Sequence, residues 1–366
     1  MYRVRSGGWV WYFLEVADWN RLGPRPDNHT GNTETVKINR VRGVFRRDGY
    51  YLKTEMPRCT GSFSIWREIL FPRARREFWR LWRLQRLGIP VTEPVGFGQS
   101  AFFSMLITRE WAGGIPAGDY FHRVCRRDPE RRAAFLRQWC AFYRRLQQVP
   151  VYHADFHNGN ILYRPESGEF ALVDAMAVRR RMFWDRFRPV GMARILAEFR
   201  SVLSKAEFCG LIRDCGVTAE PEAFYARLWH HAADFARREW KKRRRQFLGG
   251  YPKFVQKKEG VIYPLDAARD PLVQPEDLAS LEKKVMEPQQ AEAYLVEDFR
   301  LFLLGIPAIR AAACADDGTL YLEPVSGAAG PAEKSELQEI LRLTGMNPAD
   351  FDYVIHADGR PCVRRK

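Results

Sequence analysis

The rhythm of hydrophobic and polar positions changes twice along the chain. Residues 33 to 56, TETVKINRVRGVFRRDGYYLKTEM, alternate β-branched and aromatic residues with polar ones, and Asp48-Gly49 is a two-residue hairpin turn signal. A meander of about three strands is predicted, with Lys53 near the end of the third. After the loop-like PRCTGS, Pro72 opens RARREFWRLWRLQRLG, where Phe78, Leu81, Trp82, Leu84 and Leu87 recur at helical spacing until Gly88 stops them. Strand rhythm returns in AFFSMLITREW and ends at Gly113-Gly114.

Beyond that loop the pattern is mainly helical. Residues 129 to 148 form an amphipathic helical stretch, and MARILAEFRSVL and FYARLWHHAADFARREW continue the rhythm between 190 and 247. A small sheet-rich part (1–112) followed by a larger helical part (113–265) predicts an α+β chain. The rhythm then shifts again over 266–366. AIRAAACADDGTLYLEPV reads as a hairpin with an Asp-Gly turn, AEKSELQEILRLTG as a helix stopped by Gly, and FDYVIHADGRPCVRR as a second hairpin. This α+β extension carries no legible role.

The N-terminal MYRVRSGGWVWYFLEVADW sets Arg3 and Arg5 before an apolar patch. The patch ends at Glu15 with no small-residue cleavage site after it, so it reads as an edge strand rather than a secretory signal. No apolar run approaches the ~18 to 20 residues of a membrane span, and any membrane contact is therefore expected to be peripheral.

Composition narrows the partner more than the fold. Of 366 residues 46% are hydrophobic, which supplies a core and excludes disorder as the general state. The formal charge of +15 asks for an anionic partner: nucleic acid, an acidic membrane surface or a phosphorylated substrate. Seven cysteines, an odd number without a C-x-x-C, signal neither a disulfide framework nor a zinc site and suit a reducing cytoplasm.

One stretch departs from strand chemistry. VYHADFHNGNILY (151–163) interrupts an apolar run with His153, Asp155, His157, Asn158 and Asn160, and ALVDAMAV then sets Asp174 in another apolar strand. Buried polar groups need partners, so such a cluster implies that something is held there. Phosphoryl transfer needs a carboxylate for the attacking hydroxyl, oxygen ligands for Mg²⁺ and a cation on the phosphates. His153, Asp155 and Asn160 have the H-x-D-x-x-x-x-N spacing of kinase catalytic loops, and Asp174 lies nineteen residues past Asp155. Upstream, Lys53 ends a strand and Glu77 follows twenty-four residues later on the next helix, the order of a phosphate-holding lysine and its glutamate. Glu68 is the rival to Glu77, and Arg73 or Arg80 could instead take Glu77 as an ordinary helix-face partner. Two blander readings compete. His153, Asp155 and His157 could bind a metal as alternate residues of an extended strand, or the whole stretch could be a solvated loop. A second His-Ala-Asp at 356–358 has Val363 where an Asn would be required, and it reads as a plain hairpin turn.

The stretches RRDGYYLK, RREFWRLWRLQRLGIPVTEPVGFG, HADFHNGNIL and LVDAMAV resemble the protein-kinase-like superfamily over about residues 33 to 200. More narrowly they resemble the lipopolysaccharide core kinases that phosphorylate 3-deoxy-D-manno-octulosonic acid or heptose. The resemblance implies a bilobed protein-kinase-like fold, with a small β-rich N-lobe and a mainly helical C-lobe, and the cofactors ATP and Mg²⁺. It implies Asp155 as base with His153 packed beside it, Asn160 and Asp174 as metal ligands, and Lys53 with Glu77 as the phosphate-positioning pair. The implied acceptor is a sugar hydroxyl on an anionic, lipid-linked molecule, handled on the cytoplasmic side with peripheral contact to the inner membrane face. His157, Arg179, Arg180 and Arg181 stand where they could meet such an acceptor, and the basic run 241–245 could meet the surface.

The departures from protein kinases set the alternatives. NRVRGVF offers only Gly43 where a G-x-G-x-x-G loop is expected, so the phosphate cover falls to backbone near Gly43 with Arg42 or Arg40. Asp174-Ala-Met lacks Phe-Gly, HAD lacks the Arg, and no A-P-E follows, which disfavours a protein substrate. HxDxHxxN is closer to the HGDLHPGN of aminoglycoside and choline kinases, making a soluble small-molecule kinase the second reading. A catalytically silent basic module on membrane or nucleic acid is the third, with nucleic acid disfavoured.

Overall fold

The N-terminal segment, expected as one edge strand, is a hairpin. β1 (Tyr2–Ser6) and β2 (Trp9–Phe13) meet at Gly7-Gly8, whose φ angles of 59° and 80° suit a residue without Cβ. In this computed structural model the described residues are 1–22, 33–39, 42–55, 71–100, 103–180, 198–200, 202–217, 220–266 and 271–366, with backbone alone for Asn39 and Arg180. Arg40, Glu68 and Arg181, the stretch PRCTGS and most of MARILAEFRSVL, named above, lie outside them.

The described chain divides into two compact units, one made of 1–117 with 141–185 and the other of 118–140 with 186–366. The first unit is built on a seven-stranded antiparallel sheet. After α1 (Val16–Leu22) come β3 (Glu34–Asn39), β4 (Arg42–Arg47) and β5 (Tyr50–Glu55), the meander expected from the alternating pattern, with Asp48 and Gly49 both at positive φ in its second turn. Helix α2 (Arg73–Arg86) follows, then β6 (Pro94–Gln99) and β7 (Ser104–Arg109), and the spatial order is β1-β2-β6-β7-β5-β4-β3. Trp11, Phe13, Phe45, Leu52 and Ile107 pack in one core on this sheet. Because successive strand residues face opposite sides, Leu52 in that core turns the neighbouring Lys53 toward α2. Helix α2 buries Ala74, Glu77, Phe78, Leu81 and Leu84, one stripe at helical spacing, against β6 and β7.

The rest of this unit is a set of short pairings. β8 (Ile115–Pro116), β10 (Ile161–Arg164) and β11 (Glu169–Leu172) form one small sheet, and β9 (Val151–His153) pairs with β12 (Val178–Arg180) so that His153 stands opposite Val178. Helix α3 (Pro129–Gln148) enters the unit at Ala141, and its Phe142 and Tyr143 pack on Phe170 and Phe156. The β10–β11 hairpin brings residues 160 and 173 together, and the Val173 amide donates to the Asn160 carbonyl at 3.1 Å.

The second unit joins helices and hairpins in one core. α4 (Lys205–Asp214), opened by a Ser204–Glu207 capping box, and α5 (Pro221–Leu248) precede β13 (Val255–Lys258), β14 (Val261–Pro264) and β15 (Glu282–Val285). α6 (Pro288–Leu304), β16 (Ala311–Ala315), β17 (Thr319–Leu322), β18 (Val325–Ala328), α7 (Pro331–Thr344), β19 (Phe351–His356) and β20 (Pro361–Arg365) complete it. The two hairpins and the Gly-stopped helix expected in the last hundred residues are present as β16–β17, β19–β20 and α7. The pattern reading passed over α6 and the β13–β14 hairpin. Phe247 of α5 stacks on Phe299 of α6 at 4.2 Å, and both share a buried cluster with Phe254, Leu295, Leu320 and Cys362.

The second His-Ala-Asp forms the β19–β20 turn, and it is an electrostatic knot. His356 Nδ1 lies 2.7 Å from Asp358 and Nε2 lies 3.7 Å from Glu323, while Arg360 donates to Asp358 at 2.8 Å. Burial alone would lower the His356 imidazole, but Asp358 and Glu323 outweigh it and hold it up at about 9. With the folded value above the ordinary 6.5, the contribution is whole below that pH and is lost as pH rises through about 9. Urea unfolding should therefore lose about 2 kcal/mol between about pH 6 and about pH 9.5 in the wild type and much less in His356→Gln. Equal losses in the two proteins would remove His356 as the cause.

Candidate active site

Strand and helix periodicity converge first on Lys53 and Glu77. Lys53, 8% exposed, reaches both carboxylate oxygens of Glu77, 1% exposed, at 2.6 Å. Two buried opposite charges are tolerable because each is the other's partner. Burial first, then Asp174 and Glu55, push the Glu77 carboxyl up, while Arg42 acts the other way. Neither Arg73 nor Arg80 takes the role of helix-face partner to Glu77. Arg73 lies 3.6 Å from Glu55, and Arg80 donates to the Met176 carbonyl.

The Lys53–Glu77 ion pair extends to the second acid of the motif, Asp174. Lys53 Nζ lies 3.5 Å and Arg42 Nη2 3.2 Å from Asp174 Oδ2, while Oδ1 accepts the Met176 amide at 3.0 Å. Arg42 also lies 3.4 Å from Glu55. A lysine, an arginine and three carboxylates thus alternate in one cluster, with the half-buried Asp174 at the more open end. Gly43 sits inside β4, paired with Ile38 and Thr54, and a Cβ there would lie 2.6 Å from the Phe45 ring. Its lack of side chain admits that ring.

His153 ties this cluster to Asp155. Nε2 faces the backbone carbonyl of Asp174, an acceptor only, and Nδ1 faces the backbone amide of Asp155 at 3.2 Å, a donor only. Those partners require a neutral ring with its proton on Nε2. Burial lowers the imidazole, against the carbonyl and charge of Asp174, and so favours the same neutral form. Both ring nitrogens are engaged, which removes the His153–Asp155–His157 metal reading, and among the described residues no group of three metal-type side chains is assembled.

The loop beyond β9 presents the remaining residues. The Asp155 side chain is 54% exposed, and His157 Nε2 lies 3.8 Å from its Oδ2. Asn160 donates from Nδ2 to the Asp155 carbonyl at 3.0 Å, which leaves Oδ1 as the amide atom able to ligate a hard cation. Arg179 donates to the carbonyls of Met176 at 3.3 Å and Val178 at 3.5 Å, and the Arg180 backbone pairs with Val151. Lys53, Glu77, Arg42, Asp174, His153, Asp155, Asn160 and His157 therefore form one connected set of contacts, and the contacts given for Gly43 and Arg179 lie outside it. Two members were missed by sequence reasoning. Glu55 anchors Arg42 and Arg73, and Arg80 fixes the Asp174-Ala-Met turn through Met176. Glu55 had a signal, since a charged residue two positions after Lys53 in a strand shares its face.

Comparison with known proteins gives this set a context. The model of the lipopolysaccharide kinase (Kdo/WaaP) family matches residues 26–214, just over half of the chain, and the match contains every residue of the connected set. No curated protein matches the chain significantly. Solved structures similar to it include WaaP in complex with acyl carrier protein, at 16% identity over 60% of this chain and 95% of that one, with a TM-score of 0.43. They also include an aminoglycoside-3'-phosphotransferase of type VIII, at 18% identity over 57% and 96%, with a TM-score of 0.39. A third is WbdD, at 14% identity over 45% and 36%, with a TM-score of 0.33. The chain belongs to the lipopolysaccharide kinase (Kdo/WaaP) family, and it is therefore a kinase.

Proposed function

We propose that the chain transfers the γ-phosphate of ATP to a sugar hydroxyl of a lipopolysaccharide-core-type glycolipid. The observation that carries this is the sharing of one buried ammonium, Lys53, between Glu77 at 2.6 Å and Asp174 at 3.5 Å, with His153 linking Asp174 to the backbone of the exposed Asp155. Such a set fits a magnesium nucleotide. Mg²⁺ on a triphosphate usually takes one or two protein oxygens and needs no closed cage, which suits Asp174 with Asn160 Oδ1. Bound there, the metal would neutralise phosphate charge.

The chain's own groups would do the rest. Lys53, held by Glu77, and Arg42, held by Glu55, would bind phosphate oxygens as fixed cations, so that little reorganisation is needed as charge develops. Asp155 would accept the proton of the acceptor hydroxyl at its carboxylate, and His153 would hold the backbone of that loop without carrying a proton. His157 beside Asp155, with Arg179 further on, would meet an anionic acceptor. The charge of +15 supports an acceptor at an acidic surface, and the reading includes peripheral contact with the cytoplasmic membrane face. Among the described residues no helix is long and apolar enough to cross a membrane.

Labelled ATP with a panel of core glycolipids, aminoglycosides and choline tests this reading. Label is expected on a core glycolipid and should vanish on Asp155→Asn. Label confined to an aminoglycoside or choline would replace the acceptor with a soluble amine-bearing one, and label on none would overturn the assignment.

A further inference from the structure

Helix α2 turns one stripe inward, and the face it leaves outside is almost free of acids. Its fourteen residues hold six arginines and a single acid, Glu77, which is buried against Lys53. At 3.6 residues per turn Arg75, Trp79, Trp82 and Arg86 fall on one line opposite the buried stripe, with Arg83 beside them. Arg75, Arg83 and Arg86 are exposed, and so is Trp79, at 42%. The half-buried Trp82 stands edge-on to Trp79 at 5.4 Å and carries the Arg86 guanidinium over its ring at 4.8 Å. Phe71, just before the helix, is 55% exposed.

This composition works against the helix itself. The first turn has no acid and sets Arg75 and Arg76 against the positive end of the helix dipole. Arg76 and Arg80 are like charges four residues apart, and Arg80, Arg83 and Arg86 follow at intervals of three, spacings at which like charges destabilise. Burial, then Arg179 and Arg76, lower the Arg80 guanidinium, while Glu77 acts the other way. Arg83 also lines a recess of about 170 Å³ with Arg80, Arg179 and the apolar Leu84, Val151 and Val178, and among the described residues no carboxylate lines it. Arg80 and Arg179 are held by backbone carbonyls, which orient a guanidinium without cancelling its charge.

We propose that this face of α2 docks on a bilayer of anionic phospholipid. Charge sets the sign of the partner, since guanidinium groups match phosphate oxygens and cations are drawn to an anionic leaflet. The aromatic side chains select the bilayer. Exposed Trp and Phe among arginines suit a helix held at the headgroup plane, where an amphipathic ring keeps one end wet and the other in acyl chain. The recess beside Arg83 would take one headgroup phosphate. The basic run 241–245, the other surface expected to meet a membrane, is partly neutralised within its own helix, where Glu239 lies 3.6 Å from Lys242 and 3.3 Å from Arg243. Docking by α2 rests on the membrane contact included in the reading above and gives it a place in the fold, and a test without nucleotide lets either fail alone.

Flotation of the full chain with vesicles tests it. The chain should float with phosphatidylglycerol in phosphatidylcholine but not with phosphatidylcholine alone, and binding should fall as salt is raised. Arg75→Gln combined with Arg83→Gln and Arg86→Gln should weaken binding about a hundredfold, and Trp79→Gln about tenfold, in proteins of unchanged melting temperature. Lys241→Gln with Arg245→Gln should leave it nearly unchanged. Equal binding to neutral vesicles, no effect of the α2 substitutions, or loss of binding in the 241 and 245 pair would each overturn the proposal. Duplex DNA bound more tightly than the vesicles, with Trp79→Gln without effect on either, would give the face to nucleic acid and overturn it too. Should the triple variant fail to fold, phenylglyoxal labelling of the unaltered chain decides. Anionic vesicles should slow modification of Arg75 and Arg83 but not of the exposed Arg237 beside the rival run, and no protection would sink the idea.

Discussion

Asp155→Asn should bind Mg²⁺-ATP as the wild type does and lose turnover by about a thousandfold. The substitution is nearly isosteric, and the structural bonds at this position belong to the backbone: its amide donates to His153 at 3.2 Å, and its carbonyl accepts from Asn160 at 3.0 Å. Those bonds survive the change. What disappears is a carboxylate able to take a proton, and an amide oxygen is far too weak a base to replace it. His153 cannot stand in, since its Nε2 proton is committed to the Asp174 carbonyl. Single-turnover transfer to the glycolipid, measured beside the ATP-induced rise in melting temperature, separates the two effects. Turnover within a few fold of wild type would exclude Asp155 as the base, and loss of the melting shift would mean that the variant had disturbed the loop rather than its chemistry.

This prediction was legible before any coordinates, because local rules carried it. Asn160 and Asp174 flank one hairpin and Asp155 lies five residues before Asn160 in the loop that leads into it, so spacing in sequence is spacing in space, and Lys53 and Glu77 sit on two elements whose periods were readable. Arg42 to Asp174 spans 132 residues, and Arg80 to Met176 spans 96. Such contacts depend on how elements pack, and no local pattern encodes them. Helix α6 escaped for a different reason. It buries Ala291, Tyr294, Leu295, Val296, Phe299, Leu301 and Leu304 over a broad face, and its buried Asp298, paired with Arg310, breaks the simple polar-out pattern. The N-terminal hairpin was missed although the adjacent Gly7-Gly8 is a turn signal of the same rank as the Asp48-Gly49 that was used.

Asp174→Ala separates the metal from the cations. In the wild type, Asp174 is the acid that Lys53 and Arg42 share, at 3.5 and 3.2 Å, so it partly neutralises the charge that would hold phosphate. Removing it takes away a proposed Mg²⁺ ligand and at the same time unmasks two cations. The fold should hold, because Lys53 keeps Glu77, and Glu77 loses one of the charges that push its carboxyl up. The two effects have opposite signs for binding. The variant should show an ATP-induced melting shift without Mg²⁺ at least as large as that of the wild type, no further shift when Mg²⁺ is added, and turnover lower by about a thousandfold or more. In the wild type the Mg²⁺-dependent increment should dominate. An increment of equal size in both proteins would place the metal on other ligands, and a variant that loses the Mg²⁺-free shift as well would show that Asp174 orders the cations rather than masks them.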